Sequence, residues 1–356
     1  MARKERNERR SAVERMERAL AEEDGARGRA RWLAGAGIGL GALVVAPVAG
    51  TLAWSRWGVD HEAHLPAAID AERREIQSPI AGRIAYYADD TGRERPLVLI
   101  HSVNAGASAY EMRPLFEFFR GRRPVYAPDL PGFGFSERTN RTYSPEMYAA
   151  AVLDLLHEIN AGTRGGADVV ALSLGSEFAA RAAIERPELI HSLAVISPTG
   201  MMSRMQTVQV GQGPYRAISF PLWGQALYDL LVTRASLRYF LARSFTREPD
   251  AGLLEYAYAT THQPGARYAP LYFVSGLLFT PNTIDRLYSR VTQPALVIYD
   301  RDAYTRFDAL PQLLDERPNW RATRITPTCG LPHFERLSDT ARALSAFWSE
   351  AVVAQR

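Results

Sequence analysis

Lysine is nearly missing from this chain: Lys4 stands alone among 42 basic residues, and arginine supplies the rest. Cysteine is equally scarce. With Cys329 as the single thiol, no intramolecular disulfide can form and no cysteine-based metal site can be assembled. Excess charge of one sign is missing as well. The formal net charge of +3 over 356 residues comes from residues 1–31, which hold ten basic and seven acidic side chains, whereas the remainder holds 32 of each. A neutral body gives nucleic-acid binding no electrostatic support. There is no internal repeat, no phosphate-binding glycine loop and no cluster of metal-ligating side chains, so neither a metal nor an organic cofactor is expected.

One long apolar run is present. No charged residue occurs from Trp32 to Ser55, and a helix of that length spans roughly 35 Å, enough for a hydrocarbon core of about 30 Å. Trp32, Trp54 and Trp57 flank the run, as interfacial aromatics do. Arg27, Arg29 and Arg31 precede it and only Arg56 follows closely, so the positive-inside bias puts the N-terminus in the cytoplasm and the rest of the chain outside. Thr51-Leu-Ala53 would admit cleavage after Ala53, but a charged leader of this length favours an uncleaved anchor. Gly35, Gly37, Gly39 and Gly41 contain two overlapping GxxxG spacings that would permit helix pairing and hence a dimer. Residues 1–31 read as a solvated, charged arm with i,i+4 pairs such as Glu5/Arg9 and Glu14/Arg18.

The expected organisation is therefore a cytoplasmic arm (1–31), one transmembrane helix (32–55) and a linker (56–80). A two-part core (81–201 and 291–356) follows, interrupted by a cap (202–290). In the core, strand-length apolar runs alternate with helical patterns, the mark of a mostly parallel sheet flanked by helices. Strands are expected at 82–87, 96–101, 124–128, 168–173, 193–197, 295–299 and 321–325. Helices are expected at about 109–120, 145–161, 174–185 and 337–353. Ser144-Pro145 supplies an N-cap followed by proline at the first helical position. Between Gly200 and Arg290 the alternation stops. That stretch holds 14 of the 36 aromatic residues and reads as a mostly helical insertion over the C-terminal edge of the sheet, where open α/β sheets bind ligands.

Chemistry concentrates at Val169-Val-Ala-Leu-Ser173-Leu-Gly175, an apolar run ending in a serine and followed by an alanine-rich helical stretch. This is the layout of a nucleophile elbow, whose sharp turn lifts the serine hydroxyl off the sheet edge. Ala171 and Gly175 are the small residues that let strand and helix backbones pass closely. Three more segments accompany it. They are Leu97-Val-Leu-Ile-His101-Ser102, Tyr126-Ala-Pro-Asp-Leu-Pro-Gly-Phe-Gly-Phe-Ser136 and Pro294-Ala-Leu-Val-Ile-Tyr-Asp-Arg-Asp302. Together, from about residue 82 to 350, they resemble the α/β-hydrolase superfamily in its serine-nucleophile, capped form, with nucleophile, acid and histidine in that chain order.

The resemblance implies Ser173 as nucleophile, with the backbone N–H groups of Leu174 and Val103 receiving the oxyanion. Asp302 is preferred over Asp300 as the acid because it lies further past the strand end. The resemblance also makes His101 a brace of the oxyanion loop and Asp129 a support for the turn at Gly132 and Gly134. Only His333 follows the acid strand, in Cys329-Gly-Leu-Pro-His-Phe-Glu335, and it is the expected base. Many members read Gly-His-x-Pro-His-x-Glu there, with the first histidine catalytic; in that alignment Gly330 takes its place and His333 matches the second.

Two main readings follow. One is a membrane-anchored serine hydrolase that cleaves a small apolar or amphiphilic ester, or a similarly activated carbonyl compound, through an acyl-enzyme. The other is a catalytically impaired hydrolase fold that binds or scaffolds. Cofactor-free oxygen or peroxide chemistry on the same fold is a third reading that the sequence leaves open.

Overall fold

The computed structural model describes residues 48–202 and 212–354. Most of the expected transmembrane span (32–47) lies outside these residues, as do the charged arm and positions 203–211 of the cap. Residues 48–57 are helical. Among the described residues no helix is long and apolar enough to cross a membrane. The chain divides after Gly58 into two compact units.

The second unit is built on one eight-stranded sheet in the order β1-β2-β4-β3-β5-β6-β7-β8. Its strands are β1 (Glu72–Ser78), β2 (Gly82–Asp89), β3 (Leu97–Ile100), β4 (Val125–Pro128), β5 (Ala167–Leu172), β6 (Ile190–Ile196), β7 (Ala295–Arg301) and β8 (Trp320–Cys329). β2 runs antiparallel to β1 and β4, and all other pairs are parallel. Each strand read from the sequence is present within a few residues. β1 is an addition: Glu72–Ser78 falls in the segment read as linker. Its sequence, Glu-Arg-Arg-Glu-Ile-Gln-Ser, carries one large apolar side chain, because an edge strand has little to bury. Its polar side chains instead make surface ion pairs, Glu75 with Arg83 at 2.6 Å and Arg74 with Asp90 at 2.7 Å.

The central strands are apolar on both faces because helices cover both. Val98, Ile100, Val169, Ala171, Val195 and Val297 pack on the side of α2 (Pro145–Glu158) and α3 (Gly175–Glu185), against Tyr148, Leu155 and Phe178. Their neighbours Leu97, Leu99, Val170, Leu172, Ile196 and Ile298 face the other way. There they meet α1 (Arg113–Phe119) and the C-terminal helix over Leu337–Ala354 through Phe116, Leu344, Phe347 and Trp348. α2 begins as its sequence dictates, with the Ser144 hydroxyl accepting from the Met147 N–H at 3.3 Å and proline in the first turn.

After β6 the described chain is helical until β7. The segments are α4 (Gln212–Ile218), α5 (Gly224–Leu231), α6 (Arg234–Ala242), α7 (Ala251–Thr261), α8 (Tyr268–Val274) and the single turn α9 (Thr283–Arg286). α6 and α7 start at side-chain caps, Thr233 for Ser236 and Asp250 for Leu253. Two helices follow β7 before the last one: α10 (Leu310–Glu316) and the short α11 (Pro332–Glu335).

One buried ionic cluster ties the N-terminal ends of the central strands together. Arg123, just before β4, is paired with Asp168 of β5, which also accepts from Ser192 (2.6 Å) and contacts His191 Nδ1 (3.1 Å) on β6. Burial by itself raises the Asp168 carboxyl, but His191, Arg123 and Ser192 outweigh it and leave the group below its ordinary value. The stability this supplies is therefore present above the ordinary carboxylate range and is lost as pH falls through it. Asp168→Asn leaves the Arg123 guanidinium buried without its counter-charge and is expected to cost about 3–5 kcal/mol. Urea denaturation of the two proteins reads this directly, and a loss under about 1 kcal/mol would place the pair in the surface class instead.

Candidate active site

β5 ends at Leu172, and the chain then turns sharply at Ser173, which adopts φ 50°, a left-handed conformation that disfavours a residue with a Cβ. The turn is pinned on both sides. The Ser173 N–H donates to the Ile196 carbonyl at 2.9 Å, and its own carbonyl accepts from Ser176 at 3.1 Å and Thr199 at 3.4 Å. Its hydroxyl has no hydrogen-bond partner among the described residues and is only partly covered. At Gly175, where α3 starts, a Cβ would collide with the His101 carbonyl oxygen. That contact sets the elbow against the loop leaving β3, which carries Ser102 and Val103. The amide N–H groups of Leu174 and Val103 have no acceptor among the described residues, and both residues are buried. Unclaimed donors at a helix N-terminus are what a developing oxyanion needs.

His101 sits at the end of β3 as a fully used brace. Its Nδ1–H donates to the Ser102 carbonyl at 2.5 Å, and its Nε2 accepts from the Leu130 N–H at 2.8 Å. Burial pushes its pKa down to about 3, so the ring is neutral. Asp129 supports the following loop. Its carboxylate accepts from Ala109 (2.8 Å) and Phe135 (2.9 Å), and the chain folds so closely over it that a Cβ at Gly134 would overlap the carboxyl.

The two candidate acids occupy different surroundings. Asp300 is spoken for: Oδ1 accepts from Arg324 Nε at 2.7 Å and Oδ2 from the Thr328 N–H at 2.9 Å, tying β7 to β8. Burial raises its carboxyl, and those two donors more than offset the rise. Asp302 lies just past β7, its Oδ1 held by the N–H groups of Tyr304 (2.6 Å) and Thr305 (3.2 Å). Oδ2 has no donor among the described residues. It looks toward Gly330, where a Cβ would lie 3.1 Å away. Burial raises the Asp302 carboxyl against the effect of its two backbone donors. Thr305, through its hydroxyl to the Pro198 carbonyl at 3.4 Å, links the acid loop to the segment that contacts Ser173 through Thr199.

Among the described residues His333 makes its hydrogen bond to Glu111 and none to Ser173. His333, in α11, is completely buried, and its Nε2–H donates to the backbone carbonyl of Glu111 at 2.7 Å. Its Nδ1 is buried without a partner among the described residues. Burial pushes its pKa down to about 4, so it stays neutral. Held this way, the ring joins the C-terminal part of the core to the oxyanion loop.

Two glutamates that the sequence did not single out organise the site. Glu111 is buried, and its carboxylate accepts from the Ser102 N–H (2.8 Å), the Ser102 hydroxyl (3.0 Å) and Asn104 Nδ2 (2.8 Å) while its carbonyl receives His333. Burial raises its pKa. Nothing local in Ala-Tyr-Glu-Met announces this role. Glu177, in the first turn of α3, accepts from the Thr199 hydroxyl (2.5 Å) and from the N–H of Thr280 (2.8 Å), a residue between the last two cap helices. An acid on an otherwise apolar helix face was its available signal. Among the described residues no group of histidine, cysteine and acidic side chains is arranged to hold a metal.

Residues 97–343 match the α/β hydrolase family, and the chain belongs to it. It is 36% identical over 134 residues to 2-hydroxymuconate semialdehyde hydrolase of Pseudomonas sp. (strain CF600), a match covering 36% of this chain and 44% of that protein. It is 29% identical over 115 residues to (E)-2-((N-methylformamido)methylene)succinate hydrolase of Acinetobacter baylyi, covering 32% of this chain and 41% of that one. The chain thus matches less than half the length of these relatives. Among solved structures, a serine hydrolase of carbazole degradation superposes with a TM-score of 0.62 at 18% identity, covering 78% of this chain and 98% of the other. A bacterial membrane phospholipase A superposes with a TM-score of 0.62 at 21% identity, covering 88% and 95%. These likenesses show the fold.

Burial pushes the Glu177 carboxyl up to about 7, against the hydrogen bonds from Thr199 and Thr280. The folded protein therefore keeps a proton that the unfolded chain loses above its ordinary value of 4.5. The resulting stability is full below pH 4.5 and is lost as pH rises to about 7. Glu177→Gln is expected to flatten this part of the profile. Melting temperatures of both proteins across that window test it, and parallel curves would refute it.

Proposed function

We propose that this protein is a serine hydrolase acting on an ester, or a similarly activated carbonyl compound, with an apolar or amphiphilic portion. The observation that carries the reading is the strained turn at Ser173, which presents a free hydroxyl beside two unclaimed amide N–H groups. In this reading the Ser173 oxygen adds to the carbonyl carbon. The carbonyl electron pair moves to oxygen, where Leu174 and Val103 donate to it, each worth about 3–4 kcal/mol. Collapse expels the alcohol and leaves an acyl-serine, which water then hydrolyses. Asp302 supplies the negative charge that stabilises whichever base carries the serine proton. An apolar substrate portion is supported by the cap, whose Phe220, Leu222, Trp223, Leu227 and Leu230 remain exposed.

The site works, in this proposal, on the outer side of a membrane that residues 32–55 span with the N-terminus in the cytoplasm. Exposed Trp57 at the end of the 48–57 helix supports an interfacial position. Full-length protein is expected to stay in the membrane pellet after an alkaline carbonate wash, and its release would refute the anchor.

A second reading has its own observation, the engagement of His333 with Glu111 rather than Ser173. It is a hydrolase fold that binds its ligand without turning it over. A fluorophosphonate probe tests the main reading: wild-type protein is expected to be labelled, and Ser173→Ala to lose all labelling. No labelling anywhere between about pH 6 and 9 would overturn it. Labelling without hydrolysis of any of a series of nitrophenyl esters selects the second.

A further inference from the structure

We infer that the outward face of α5 and the turn before it, formed by Phe220, Leu222, Trp223, Leu227 and Leu230, docks on the surface of the lipid bilayer. This placement rests on the membrane anchor proposed above and is independent of catalysis at Ser173. All five side chains are between 40% and 65% exposed. Trp223, at the N-cap of α5, is followed by Leu227 and Leu230 at i+4 and i+7, which puts the three on one side of the helix. The helix is therefore amphipathic in the opposite sense to a water-facing one, with its apolar stripe outward and its single acid, Asp229, buried. From Ala217 to Thr233 no other charged residue occurs. Phe220 and Trp223 pack ring against ring with centroids 4.5 Å apart. The Trp223 Nε1–H is already spent on the Ala217 carbonyl at 2.7 Å, so what the indole exposes is apolar. Single exposed leucines need no explanation, but a contiguous run without exposed charge calls for a partner.

Chain length says which partner. After the proposed span the chain is fastened to the cap at His61, whose Nε2 lies 3.1 Å from both carboxylate oxygens of Asp229. Gln225 Nε2 donates to the same carboxylate at 2.8 Å. Beyond His61 the Ala63 carbonyl accepts from Gln263 Nε2 at 2.8 Å, just after α7. The chain leaving the span is thus tied to α5 itself, through the inward acid of that helix. The six-residue step from Ser55 to His61 reaches no more than about 20 Å even when fully extended. Headgroups take up roughly 6 Å of that distance. A tether this short keeps α5 beside the bilayer, with its inward side committed to the protein and its apolar side unclaimed. A helix carrying Trp, Phe and Leu on one side seats about 5–10 Å into the boundary between headgroups and acyl chains. An apolar ester dissolved in the bilayer would then meet the protein first at the cap.

Quenching by lipid tests the docking on the full-length protein in phosphatidylcholine vesicles. In a Cys329→Ser background, a nitrobenzoxadiazole label is attached through Leu222→Cys, Leu227→Cys or, as the reference, Glu94→Cys. Glu94 is exposed just before β3, at the sheet edge opposite Ser173. A lipid with a nitroxide high on its acyl chain is expected to quench the labels at the Leu222 and Leu227 positions about threefold or more strongly than the label at Glu94. Dissolved iodide is expected to quench in the reverse order. Lipid quenching at the two leucine positions no stronger than at Glu94, in protein that stays in the pellet after an alkaline carbonate wash, overturns the docking alone. Release of the protein in that wash overturns the anchor and the docking with it. Self-quenching at the Leu227 position that disappears when labelled protein is diluted with unlabelled protein puts a second copy on this face, and also overturns the docking. The hydrolase reading is judged separately by the fluorophosphonate probe.

Discussion

The site depends on one close approach, that of Gly175 to the carbonyl of His101. Two adjacent parallel strands, β3 and β5, deliver their C-terminal ends side by side, with Ile100 opposite Ala171. Only with no side chain at Gly175 can α3 start close enough to set the Leu174 amide on the same side as the loop after β3. The left-handed turn at Ser173 is the other half of the constraint. Its strain, about 1–2 kcal/mol, persists because the backbone of Ser173 is tied to Ile196, Ser176 and Thr199. Ordered structure on three sides thus imposes an unfavourable conformation on Ser173.

Around this contact the buried acids divide their work. Asp129 and Glu111 are buried and, among the described residues, not hydrogen-bonded to any cation. Each instead receives backbone or side-chain donors from loops that would otherwise be loose. Removing a carboxylate of this kind strands its donors in an apolar interior, which is why such groups organise loops so effectively. Glu111 has a further consequence. Because its carboxylate holds Ser102 while its carbonyl holds His333, the oxyanion loop and the histidine loop are one rigid unit. The residue that stiffens this loop through its carboxylate is the one whose carbonyl engages His333.

Much of this was legible in the chain. The parallel core strands showed because strands buried on both faces are continuous apolar runs, and α2 showed because Ser144 and Pro145 mark its start. The turn at Ser173 was legible because such a turn needs small residues at fixed spacing. β1 was not, since an edge strand covered by solvent leaves no apolar pattern. The choice between Asp300 and Asp302 was ambiguous by spacing, and the surroundings of the two groups differ only in three dimensions: Arg324 and Thr328 occupy one, and a glycine faces the other.

The sequence by itself determined the fold, the turn at Ser173 and the absence of a histidine at position 330, because these follow from local patterns and from composition. The direction in which His333 points was decided only by tertiary structure. Its nearest partner, Glu111, lies 222 residues earlier in the chain, and nothing local to either residue records the contact. Burial, which strips both from water, makes their hydrogen bond the favourable resting place for that imidazole.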